Sequence, residues 1–255
     1  MPFIPIIART VLLESLRTRF WPIYGLVLLI CLGAAIFMGQ LAIADVGRIR
    51  IITLAALSRP LLAFLLILHI AAAITRETQE KGLDMVMAAG LPGPVLIIGR
   101  LTGYSMLSAM MAAGAGFVLL SLGARVQLIS WTIGLACELS LLAAFTLAVS
   151  VVLRQVASTT MAAAFFYILG HSLGAILLLA RHPLADYSGH AESAARAPIE
   201  AMAWLIPRFD LFGSADWLAG LRTGHLPPIF IQTAIYLLSL FAIATLDLKR
   251  KGEPA

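Results

Sequence analysis

Charge is what this sequence has least of. Only 12% of its 255 residues are Asp, Glu, Lys or Arg, whereas 61% are hydrophobic. Soluble domains carry about 25% charged and roughly 45–50% apolar residues, so a water-soluble fold has no place for this excess. A bilayer does. Lysine is scarcer still, confined to Lys81, Lys249 and Lys251. None of them follows a glycine, so the phosphate loop G-x-x-x-x-G-K-[ST] is absent, and with it that way of binding ATP. The two cysteines, Cys31 and Cys137, fall inside apolar runs, where no disulfide is expected. The N-terminus does not read as a signal peptide, because Arg9, Glu14, Arg17 and Arg19 interrupt it and no small-residue cleavage site follows. A net charge of +5 spread this way does not point to nucleic acid, and none is expected as a partner.

What the chain does have is long apolar runs. Six of them, at 22–40, 52–74, 101–122, 128–153, 156–180 and 227–246, match the roughly 20 residues that cross a bilayer as a helix. Backbone in hydrocarbon must satisfy its own hydrogen bonds, so helices are expected throughout. The predicted fold class is an all-α membrane protein with six transmembrane helices, a single domain over residues 1–255. Ahead of the first run, Ile4, Ile7, Val11, Leu12, Leu16 and Phe20 recur at helical spacing. That spacing predicts an amphipathic helix over residues 2–20, lying on the membrane surface. Trp21-Pro22 then marks the start of the first span, since Trp favours the interface and Pro the first helical turn. The three lysines, and slightly more than half of all basic residues, fall on the side that holds both termini. Both termini are therefore expected in the cytoplasm.

Two connections are long enough to carry information. In residues 75–94, TRETQEKGLDMVMAAGLPGP, Glu77 and Lys81 form an i,i+4 pair in the favoured order. Leu83, Val86 and Met87 line one face there. A short charged helix over residues 77–89 is predicted, stopped by Gly90-Leu91-Pro92-Gly93-Pro94, with a solvated surface turn as the competing arrangement. On the opposite side, residues 181–226 begin as polar coil and continue into two apolar, aromatic segments at 199–206 and 211–218. Each is too short to span, which predicts short re-entrant or interfacial helices before the sixth span. A soluble cap on that face is the competing arrangement.

Ionisable side chains within the runs are candidate functional positions, because they are costly at membrane depth. Glu138 lies about 15 Å into the fourth run at 1.5 Å per residue, and is expected to pair with an Arg or His of another helix. Arg59-Pro60 sits near an end of the second run, where Arg can snorkel to water and Pro can kink the helix. His171 and Ser172 are expected to hydrogen-bond between helices, with Gly170 and Gly174 allowing close approach. These four belong to Gly170-His171-Ser172-Leu173-Gly174, the G-x-S-x-G pattern of a nucleophile elbow. Asp186, His190, Asp210, Asp216 and His225 lie downstream in the order such an enzyme needs. The pattern stands inside an apolar run rather than after a strand. No catalytic residue is assigned, and a membrane-embedded serine hydrolase using Ser172 is kept as an alternative only. His182, His190 and His225 match no ligand spacing, and Met106, Met110 and Met111 read as helix packing, so no metal site is assigned.

Residues 75–104 resemble the loop between the second and third helices of ABC-2 type transporter permeases. That family has a charged R-E…E-x-G stretch, then small and apolar residues, a Pro, and a G-K/R-L-x-G run opening the third helix. The counterparts here are Arg76-Glu77, Glu80-Lys81-Gly82, residues 85–89, Pro92, and Gly99-Arg100-Leu101-Thr102-Gly103. Gly82-Leu83-Asp84-Met85 departs from the family's frequent G-T-L-E by moving the acid one residue earlier and omitting the Thr. Residues 14–19, 206–212 and 248–251 resemble the family's surface helix, outer segment and basic end.

The resemblance implies a permease subunit of an ATP-driven exporter, with no enzymatic activity of its own. Residues 77–89 would be a coupling helix, with Arg76, Glu77, Glu80, Lys81, Gly82, Asp84, Met85 and Pro92 contacting a separate ATPase subunit present in two copies. ATP and Mg would be bound by that ATPase, so no cofactor is expected in this chain. The resemblance also implies a second permease chain, identical or paralogous, contact with membrane lipids, and a multi-pass position in a bacterial inner membrane. An unrelated six-helix secondary transporter or channel is the other possibility, although no inverted repeat supports it.

Overall fold

Apolar runs without a polar partner can bond only to their own backbone in hydrocarbon, and the elements are helical accordingly. The computed structural model describes residues 3–43, 45–79, 93–125, 127–181, 207–212, 215–218 and 226–252, and among these there is no strand. In chain order they form α1 (Phe3–Arg17), α2 (Phe20–Leu41), α3 (Val46–Gln79), α4 (Gly93–Ser121), α5 (Leu128–Leu153) and α6 (Val156–Arg181). A 3-10 turn (Phe209–Leu211), α7 (Ala215–Leu218) and α8 (Leu226–Gly252) follow. Helices α2 to α6 are each long and apolar enough to cross a membrane. In α8, 27 residues long, the part whose side chains are described, Leu226–Leu240, is apolar as well.

Helix α3 corrects the expected inner connection. It has 34 residues, about 51 Å at 1.5 Å per residue, against about 30 Å of hydrocarbon. Its ends therefore stand beyond the apolar span, with Arg48 and Arg50 at one and Arg76 and Glu77 at the other. Arg76 and Glu77 thus close a spanning helix; they do not open a separate short one. The rest of the expected coupling helix, including Glu80, Lys81, Gly82, Asp84, Met85 and Pro92, lies outside the described residues. So do segment 199–206 and His182, His190 and His225.

The centre of the bundle is α5. Within its apolar window 56% of the residues are buried, against 28% for α2 and for α6. It packs against α3, α4, α6, α7 and α8, which suits a helix apolar all round. A tight reversal at Arg154, in the left-handed region at φ 52°, ends it. The Arg154 N–H donates back to the Ser150 carbonyl.

The N-terminal helix forms, but it is docked rather than free on a surface. A β-carbon at Gly99 would overlap Ile7, and one at Gly103 would overlap Val11 and approach the Ala8 carbonyl. Two glycines one turn apart thus cut a groove in α4 that lets α1 lie close, the small-residue contact common between membrane helices. Ala8, Val11 and Ser15 face the bundle. Leu16, expected on the same apolar stripe, is 61% exposed. It shares the outer face with Phe3, Ile6 and Leu13, beside the exposed Arg9 and Arg17.

Gly103→Ile should force α1 off α4. Overpacking of this kind costs about 1–3 kcal/mol, read as a lower thermal midpoint of the purified protein. Gly33→Ala, where a β-carbon meets open space, should leave the midpoint unchanged.

Candidate functional site

Glu138, near the middle of α5, is fully buried at 0% exposure. A carboxylate taken out of water costs several kcal/mol unless both oxygens find partners. Arg59 of α3 donates to Oε2 through Nη2 at 2.6 Å and Nε at 3.1 Å. His171 of α6 reaches Oε1 with Nε2 at 3.0 Å. An ionised carboxylate only accepts, so His171 presents Nε2–H to it. The three side chains tie three helices together around one charge.

Arg59 corrects an expectation. It does not snorkel to the membrane surface: it is 9% exposed and spent on this pair. Its Nη2 also donates to the Phe209 carbonyl at 3.2 Å. That bond draws in the segment around the 3-10 turn, whose Phe209 and Phe212 are fully buried. The Phe209 ring meets Phe166 edge-on at 5.7 Å and lies 5.8 Å from Tyr167 and 6.0 Å from His171.

The G-x-S-x-G pentapeptide finds its physical meaning here. A β-carbon at Gly170 would strike the Phe209 ring and the Pro207 carbonyl, and one at Gly174 would strike the Asp210 carboxylate. The glycines do allow close approach, but of an irregular segment rather than another helix. Asp210 is held beside Gly174 by Arg208, whose Nη2 donates to Oδ2 at 2.8 Å. Ser172, expected to bond between helices, makes no hydrogen bond to any described residue. It lies within α6, not on a strand-to-helix turn, and its neighbour His171 is committed to Glu138. Among the described residues no base is hydrogen-bonded to Ser172. Of the downstream acids and histidines, Asp186, His190 and His225 lie outside the described residues.

A second group of charges gathers where α1, α3 and α4 meet. Arg100 of α4, 6% exposed, forms an ion pair with Glu77 of α3. Glu77 thus has a cross-helix partner; Lys81, its expected i,i+4 partner, lies outside the described residues. Glu14 of α1 and Arg76 stand around the same cavity of about 400 Å³, which Thr10 and Tyr104 also line. Desolvation, and then the nearby Glu77, push the Glu14 carboxyl above its ordinary value, with Arg100 and Arg76 opposing.

The buried cluster and the cavity make separate predictions. Glu138→Ala leaves Arg59 uncompensated and should cost about 3–5 kcal/mol of unfolding free energy in detergent, whereas the double variant Arg59→Met, Glu138→Leu should recover most of it. At Glu14 the folded state holds its proton more tightly than the unfolded chain does. The resulting penalty is present above the raised value and fades as pH falls through it. Glu14→Gln should therefore raise the thermal midpoint at neutral pH and lose that advantage below 4.5, the ordinary value.

No protein-family model matches the chain, and no curated protein matches it significantly.

Proposed function

We propose that this chain is the membrane subunit of an ABC-2 type transporter, most simply an exporter, driven by a separate ATPase. The carrying observation is the Glu77–Arg100 pair. It ties the end of α3 to the start of α4 at the two points from which residues 80–92 emerge. Force applied to those residues would reach both spanning helices together, which is what a coupling element needs. Glu80, Lys81, Asp84 and Met85 would form the contact with the ATPase, and Arg76, Glu77 and Arg100 its base.

Three further features fit the same proposal. Five long apolar helices supply most of a six-span permease, with α8 as the sixth span. Helix α1, packed against α4, would serve as the family's surface helix. The aromatic residues 207–212 pack into the bundle as re-entrant elements would, with Phe209 and Phe212 buried in protein. In this arrangement both termini are cytoplasmic and a second permease chain completes the pathway. ATP and Mg stay on the partner, since this sequence has no phosphate loop.

Charge reversal by Glu80→Lys with Asp84→Lys should abolish the stimulation of ATP turnover in the co-purified complex while leaving the membrane subunit folded. Undiminished stimulation counts against the proposal. Cysteine at Gly189 should react with an impermeant thiol reagent from outside intact cells; labelling only after permeabilisation inverts the topology.

A further inference from the structure

The bend between α1 and α2 covers a second cavity, of about 330 Å³, which shares only Arg76 with the transport proposal. One side is apolar, formed by Phe20 and Ile23 of α2 and Leu65 and Leu68 of α3. Ile23 and Leu68 are 47% and 37% exposed, so this side opens laterally to where acyl chains run. The other end carries Arg19 from the bend and Arg76 from the last turn of α3. Both are exposed, and neither guanidinium forms an ion pair or hydrogen bond with a described residue. Glu14, also lining the cavity, is the single carboxylate there among the described residues, which leaves their charges net positive at that end.

The spacing of the two ends is informative. From Leu65 to Arg76 along α3 is about 16 Å at 1.5 Å per residue, close to the roughly 15 Å of one leaflet of a 30 Å hydrocarbon core. Cations at one end and an open apolar wall within one leaflet's depth of them match a lipid anion better than a soluble partner, which would leave that wall facing hydrocarbon.

We propose that the groove between the α1–α2 bend and α3 binds an anionic phospholipid, its phosphate between Arg19 and Arg76 and an acyl chain along Ile23, Leu65 and Leu68. Arg76 in this role is not an ATPase contact, and the inference stands whether or not the transport proposal does. Unpaired Arg at headgroup level is attracted to anionic lipid by about 1 kcal/mol per residue, so two of them give a site selective for headgroup charge.

The test is native mass spectrometry of the full chain in detergent, titrated with phosphatidylglycerol and with phosphatidylcholine. The wild type should retain phosphatidylglycerol preferentially. Arg19→Gln with Arg76→Gln should lower that retention roughly thirtyfold, while Arg48→Gln with Arg125→Gln, elsewhere on the surface, should not. Leu68→Trp, which keeps both arginines and fills the groove, should lower retention too, and serves if the double variant does not fold. Unchanged retention in both groove variants overturns the proposal. Equal loss in the Arg48, Arg125 control overturns it as well, because the attraction is then unspecific. Full competition by soluble glycerol phosphate would show a headgroup site without a chain. Loss of ATPase association at undiminished lipid retention would make the groove a protein contact instead.

Discussion

A carboxylate cut off from water has to be neutralised where it stands, and Glu138 is that carboxylate. Helices immersed in hydrocarbon gain little by hiding apolar faces from a solvent that is itself apolar, so polar ties have unusual influence over which faces meet. Arg59 and His171 bring α3 and α6 to α5 at one depth. A further N–H of Arg59 Nη2 carries the restraint on to a segment with only one 3-10 turn to satisfy its backbone. Buried irregular backbone in a membrane protein needs such a donor. The cluster is thus at once a way to bury a charge and a way to seat residues 207–212.

The same small-residue device appears twice in the bundle with different guests. Gly99 and Gly103 admit α1, and Gly170 and Gly174 admit the 3-10 turn. In both cases the glycine groove sits beside a side chain bonded to a carboxylate on another helix, Arg100 in the first and His171 in the second. Close contact and electrostatic closure occur together: the first brings backbone near, and the second fixes the angle at which it stays. The two sites lie on different helices, and each holds an element outside the main spans.

Much of the helical plan was legible from the sequence because it depends on local pattern. The fifth helix was read with the ends it has, and the burial cost of Glu138 was apparent from its neighbours alone. What periodicity does not carry is who meets whom. Arg59 looked placed to snorkel because its distance from a span end suggests water, but a carboxylate 79 residues later claims it. Glu77 has a local candidate partner at i,i+4, yet spacing along one helix cannot reveal Arg100, which reaches it from α4. Leu16 matched the stripe on α1 by spacing and faces away, since the groove that receives α1 is centred on Ala8 and Val11. Gly170 and Gly174 advertised close approach without naming the visitor. Gly99 and Gly103 were visible only as part of a family-like motif, although their four-residue spacing was the available signal.

Whether the cluster truly holds residues 207–212 inside the bundle can be read from the reactivity of one buried position. Phe212→Cys, in a chain whose Cys31 and Cys137 have been replaced by alanine, should resist a water-soluble maleimide while Arg59 and Glu138 remain paired. Adding Arg59→Met removes the donor to the Phe209 carbonyl, and the cysteine is then expected to label at least tenfold faster with α1–α6 still folded by circular dichroism. Equal protection with and without Arg59 would contradict the claim that this buried pair is what keeps the segment in place.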